Sequence, residues 1–179
     1  MDSISIQRRL DRIIDPNKCE FLGVFPRDLV PPTCSRFPCC YVSNTDPSNK
    51  AGSHWVAFFF VSFDHCEFFD SFAMPPSIYG FHFQSPSVNL VVSKHQLQSN
   101  NSNVCGQFCI YFLYSRSIGH PFSRIIHSMC KDNLSLNDTY VSLFLKKLTS
   151  KITLNDSFHT PHSTCPCFQT CTERSCSHI

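Results

Sequence analysis

Gln98-Ser-Asn-Asn-Ser-Asn-Val-Cys105-Gly-Gln-Phe-Cys-Ile-Tyr-Phe-Leu-Tyr-Ser-Arg-Ser117 is the stretch from which the fold is read. Phe108, Cys109, Phe112 and Leu113 share one helical face, apolar residues lie between them, and Gly119 and Pro121 stop the pattern. A helix this apolar is a buried one. The polar run Asn100 to Asn103 hydrogen-bonds too readily to its own backbone to be helix, which makes Ser102 or Asn103 the expected N-cap. Cys105 then stands at the positive end of the helix dipole, where unpaired amides favour a thiolate over a thiol. A side-chain amide and a thiol at one helix mouth are the parts of a cysteine nucleophile with an oxyanion donor. In a chain with 12 cysteines, core packing is the competing explanation.

A thiolate that attacks needs a base, and His54 stands in Gly52-Ser-His54-Trp55, directly before the apolar run Val56 to Phe63. That run is a buried strand by length and aromatic content, and Glu67-Phe-Phe-Asp70 ends a second strand after the turn Asp64-His65-Cys66. Antiparallel pairing brings the start of the first strand beside the end of the second, so His54 and Asp70 are expected to meet. An acid bonded to the imidazole fixes its tautomer and supports the imidazolium. Each residue alone is better explained as a satisfied group at a strand end; the combination points to chemistry.

Gly52-Ser-His54-Trp55, Phe69-Asp70-Ser71-Phe72 and Gln98-x6-Cys105-Gly106-x-Phe108-Cys109, in that order, resemble the adenovirus-type maturation protease, adenain, and more distantly the proteases that process ubiquitin-like modifiers. Papain-like enzymes carry the cysteine first, so order separates the two groups. The likeness extends to Phe21-Leu22-Gly23, to the stretch from Cys40 into Asn44-Thr45, and to a late helix. It implies Cys105 as nucleophile, His54 as general base and then acid, Asp70 as the residue orienting the imidazole, and Gln98 with the Cys105 backbone N–H as oxyanion donors. No metal or nucleotide is called for. Asp70 replaces the glutamate of typical adenains and keeps its chemistry. Residues 78 to 97 hold no cysteine to tether an activating peptide, so a non-covalent peptide adding an edge strand is the form of activation that remains.

The resemblance implies an endopeptidase that cleaves capsid or core precursors of a virus or virus-like element near Gly residues, acting in the host nucleus or the virion. Two other readings stand beside it: an isopeptidase for a ubiquitin-like modifier, and an inactive cysteine-rich structural or metal-binding protein. Adenains also use DNA as a cofactor. Here Arg8, Arg9 and Arg12 group on the first helix and Lys146, Lys147 and Lys151 on the last, clusters small enough to be plain solvated faces in a chain of net charge +2.

The 179 residues suit one domain, and 18 Phe make its core aromatic. The charged N-terminus does not read as a signal peptide, and no run approaches the roughly 18 apolar residues of a membrane span. An intracellular monomer with reduced cysteines is expected. Ile4 to Ile14 is an amphipathic helix capped by Asp2 or Ser3, residues 15 to 50 are loop with short strands, strands follow at 54–63, 66–70 and 88–93, a short helix covers 121–129, and Asn137 caps a last helix. The expected fold is α+β: a small, mostly antiparallel sheet packed by helices, with the nucleophile at the N-terminus of a buried central helix. Residues 1–152 form this domain. Residues 153–179, rich in Cys and His but lacking paired Cys-x2-Cys knuckles, read as a disordered tail, with zinc binding as the alternative.

Overall fold

The computed structural model describes residues 1–32, 34–82 and 88–153; the Cys/His-rich tail beyond them lies outside the described residues. Helix α1 (Ser3–Ile13) is capped by the Asp2 carboxylate, which accepts from the Ser5 N–H at 2.7 Å. Its Ile6 and Leu10 are fully buried, one helical turn apart on the inner face. Five strands follow in chain order across one sheet: β1 (Glu20–Phe25), β2 (Cys39–Asn44), β3 (Trp55–Ser62), β4 (His65–Phe69) and β5 (Asn89–Val92). Helices α2 (Cys105–Ser117), α3 (Phe122–His127) and α4 (Leu134–Thr153) complete the domain.

The fold is α+β as expected, but the sheet is mixed. β2–β3 and β3–β4 are antiparallel, whereas β1–β2 and β4–β5 are parallel edge pairs. Parallel neighbours need a long crossover, and the segments 26–38 and 70–88 supply one at each edge. Strand β3 reads as an unbroken apolar run because both its faces are covered. Ala57 and Phe59 point into the cluster formed with α1, α2 and α4, while Val56 and Phe58 join Tyr41, Phe68 and Phe81 on the other face. Tyr41 stacks on Phe58 at 4.7 Å between ring centres. On the helical side Phe69 stacks on Phe112 at 4.6 Å, fixing the end of β4 against α2. Arg116 locks the other end of α2, bonding Glu67 at 2.5 Å while its guanidinium lies 4.5 Å from the centre of the Phe59 ring. Helix α2 is buried on nearly every side, as its composition predicts.

Two further expectations are corrected. Cys34 and Cys39 form a disulfide, so the cysteines are not all reduced; the loop entering β2 folds back and brings their Cα atoms to 6.5 Å. Helix α4 starts at Leu134, so Asn137 lies within its first turn instead of capping it. Among the described residues, no helix is long and apolar enough to cross a membrane.

Candidate active site

His54 immediately precedes β3, and a turn built around Asn44 delivers it. The Asn44 side-chain oxygen accepts from the Asp46 and Ser53 N–H groups at 2.9 and 3.3 Å, and Thr45 N–H bonds the His54 carbonyl at 2.9 Å. Gly52 has φ +88° and lies so close that an added Cβ would fall 2.6 Å from the Asn44 amide nitrogen. Only glycine suits both the left-handed backbone and the contact.

Asp70 follows β4, whose last residue Phe69 pairs with Ala57 near the start of β3. Its carboxylate is 1% exposed, so every lone pair must be met inside the protein. Oδ1 lies 2.7 Å from His54 Nε2 and accepts the Phe72 N–H at 2.9 Å. Oδ2 accepts the Met74 N–H at 3.3 Å and the Tyr79 hydroxyl at 2.7 Å. Ala73, with φ 58°, takes a left-handed conformation in this turn, at a cost of about 1 kcal/mol or more for a residue with a Cβ. Burial first, and then the bond to Asp70, push the Tyr79 phenol well above its ordinary range, so Tyr79 stays a donor. Arg27 donates to the Tyr79 carbonyl and holds this turn against the loop after β1. The Phe72 ring packs on the imidazole at 5.0 Å.

With Nε2 turned to Asp70, Nδ1 is the imidazole nitrogen left for Cys105. Burial works to lower the His54 pKa, but the hydrogen bonds and charges of Asp70 and Cys105 outweigh it and raise it from 6.5 to about 9. At Cys105, burial opposes ionisation. Bonds to the His54 imidazole and to the backbone of Trp55 and Gly106, with the His54 charge, overcome it and lower the thiol below its ordinary 9.0. Both shifts favour the charged pair, an imidazolium facing a thiolate. Cys109, one turn along α2, is fully buried, and burial pushes its thiol the opposite way. Position, not residue type, separates the two.

The expected cap at Ser102 or Asn103 is corrected. Val104 occupies the cap position and makes no side-chain cap bond, so the first amides of α2 remain open to the thiol. Ser102 is committed elsewhere, its hydroxyl donating to Ser99 O at 3.2 Å and its carbonyl accepting from Gln98 Nε2 at 2.8 Å. Gln98, 1% exposed, accepts the Ser71 hydroxyl on Oε1 at 2.7 Å, and the two bonds fix which way its amide points. Gln98 is thereby bound to the residue after Asp70 and to the loop entering α2. Gln96 instead braces that loop, donating to Gln98 O and Asn100 Oδ1 at 2.8 and 2.7 Å.

The structure thus sets the His54 imidazole 2.7 Å from the Asp70 carboxylate, with Cys105 as its other charge partner, and ties Gln98 to both flanks of the group. Tyr79 was not anticipated; it occupies a Pro- and Ser-rich segment with no motif to mark it. Trp55 packs against the core and donates Nε1–H to Met1 O at 3.0 Å. Arg9 and Lys146 come together along one groove of about 670 Å3 that Gln107 and Ser142 also line. Among the described residues, no three His, Cys, Asp or Glu side chains gather as a metal site.

The chain is similar to the protease of bovine adenovirus 2, with 30% identity over 118 residues covering 53% of this chain and 54% of that protein. It spans about half the length of the curated relative it matches. No family model matches. Among solved structures, it aligns with ChlaDub1 from Chlamydia trachomatis (14% identity, TM-score 0.49, 70% of this chain and 66% of the other). It also aligns with a protease of ASFV (22% identity, TM-score 0.40, 58% and 42%).

Proposed function

We propose that the chain is a cysteine endopeptidase of the adenain type, with Cys105 as nucleophile, His54 as base and then acid, Asp70 orienting the imidazole, and Gln98 with the Cys105 N–H as oxyanion donors. The observation that carries this reading is one imidazole held between a buried carboxylate and a thiol whose pKa is lowered. The similarity to an adenovirus protease supports it.

In the reaction, the thiolate attacks a peptide carbonyl carbon and the carbonyl electron pair moves to oxygen, where the two N–H donors receive it. On collapse the C–N bond breaks, and His54 gives its proton to the leaving amine. Neutral His54 then takes a proton from water, the hydroxide attacks the thioester, and the thiolate departs. Asp70 keeps Nε2–H in place throughout.

The substrates are precursor proteins of a virus or virus-like element, cut near Gly during particle maturation in the host nucleus or the virion. DNA along the Arg9–Lys146 groove and a non-covalent peptide are the activators of this scheme. The test is hydrolysis of fluorogenic peptide amides ending in Gly-Gly, run beside SUMO and ubiquitin conjugates. Peptide cleavage that disappears in Cys105→Ala supports the proposal. Cleavage of the conjugates alone points to a modifier isopeptidase, and activity surviving in Cys105→Ala overturns Cys105 as nucleophile.

A further inference from the structure

We infer that Asn137 and Asp138, consecutive residues near the start of α4, are positioning residues for the Gln98 amide; this rests on the oxyanion role given to Gln98 above. They hold the residues on either side of Gln98. Asn137 is completely buried, and each polar atom of its side chain is used. Its Oδ1 accepts from Cys130 N–H at 2.8 Å, and its Nδ2 donates to Cys130 O at 2.7 Å and to Leu97 O at 2.9 Å. Asp138 grips the other neighbour, accepting the Ser99 hydroxyl on Oδ2 at 2.5 Å and the Ser99 N–H on Oδ1 at 3.4 Å.

Gln98 belongs to a loop between β5 and α2 that has no ladder of its own. A donor aimed at a developing oxyanion must be held to within a few tenths of an ångström. Ser71 and Ser102 orient the side chain, and the Ser71 carbonyl accepts the Leu97 and Gln98 N–H groups at 2.8 and 3.1 Å; the Leu97 carbonyl and Ser99 still need a restraint of their own. Helix α4 supplies that restraint from about forty residues away. Inside the helix Asn137 is not a cap, and its amide reaches out to two other segments.

The test is Asp138→Ala and Ser99→Ala, each alone and combined with Gln98→Ala, read as kcat and KM on a Gly-Gly fluorogenic peptide amide and as the rate of Cys105 alkylation by iodoacetamide. Asn137→Ala is not used, because losing a buried three-bond tie tests folding as well. Asp138→Ala should lower kcat about tenfold, less than the roughly 10²- to 10³-fold of losing the donor itself, with KM within about twofold. Alkylation, which builds no oxyanion, should keep its rate. In Gln98→Ala the second substitution should change kcat by less than about twofold, because both act through one amide. Asp138→Asn, which retains one acceptor, should restore part of the loss. An undiminished effect in Gln98→Ala, or kcat within twofold in Asp138→Ala, overturns the inference. If the wild-type protein cleaves neither peptides nor modifier conjugates, the protease reading fails. The latch is still decided by the Gln98 side-chain NH2 signals in 15N NMR, which should move in Asp138→Ala; unmoved signals overturn it.

Discussion

Asp70→Asn removes the charge at the site with little change of shape. The replacement amide can still present an oxygen to His54 Nε2 and Phe72 N–H, the two groups that Oδ1 serves. It removes the negative charge that stabilises the imidazolium, and it sets an NH2 where Oδ2 accepts the Met74 N–H and the Tyr79 hydroxyl, so urea stability is measured beside activity. The rise of the His54 pKa from 6.5 to about 9 corresponds to roughly 3 kcal/mol in favour of the charged ring. Asp70 and Cys105 contribute that rise together, against burial. If Asp70 supplies about half, its loss is worth roughly 1.5 kcal/mol, or about tenfold in the imidazolium population. The mutual support of the pair means that the Cys105 thiol must rise as the imidazole falls. Wild-type kcat/KM on a Gly-Gly peptide amide should be bell-shaped in pH, with its acid limb set by Cys105 below 9.0 and its alkaline limb near 9 set by His54. In Asp70→Asn both limbs should move inward, and kcat/KM at neutral pH should drop about tenfold to a hundredfold. Iodoacetamide alkylation of Cys105 should show the same upward shift of its acid limb. An alkaline limb still near 9 with kcat/KM within twofold of wild type would refute the electrostatic reasoning.

Tyr79→Phe removes one 2.7 Å bond to the Asp70 carboxylate and should lower stability to urea by about 1.5–3 kcal/mol while reducing kcat/KM less than Asp70→Asn; equal stability would show that the bond adds nothing. Gly52→Ala places a Cβ in a left-handed position 2.6 Å from Asn44 and should cost about 1–2 kcal/mol or more and lower kcat/KM, measured by urea unfolding and peptide hydrolysis. Arg116→Ala leaves the buried Glu67 carboxylate without its cation, a change expected to cost about 3–5 kcal/mol. Burial already pushes the Glu67 carboxyl above its ordinary 4.5. A raised acid is least costly to bury when protonated, so the Arg116→Ala deficit should shrink as pH falls toward 4.5 and grow above it; a deficit flat from pH 4.5 to 8 would contradict this.

The parts legible in the sequence are those governed by local pattern. Helix α1, the β3–β4 hairpin and the all-round burial of α2 follow from periodicity, and the hairpin alone brings His54 to Asp70. The parallel edge pairs did not show, because a strand's pattern tells which faces are buried and not which distant strand lies beside it. The two cap assignments failed because the side chains bond elsewhere. Ser102 and Asn137 are good capping residues, but the Ser102 hydroxyl turns back to the Ser99 carbonyl and the Asn137 amide is taken by Cys130 and Leu97. Gln98 could be selected over Gln96 only through the family resemblance. Tyr79 left no signal, since its role depends on a turn that doubles back onto Asp70. The Cys34–Cys39 bond was hidden among 12 cysteines, which offer many pairings.

The central claim is that Cys105, activated by His54, is the nucleophile. Labelling with a peptide vinyl sulfone ending in Gly-Gly, followed by mass mapping of the modified cysteine, tests it most directly. The account predicts a single adduct on Cys105 that is lost in Cys105→Ala and strongly slowed in His54→Ala, with Cys19, Cys66 and Cys109 unmodified because they are buried. An adduct on another cysteine, or labelling at Cys105 that is indifferent to His54, would contradict it.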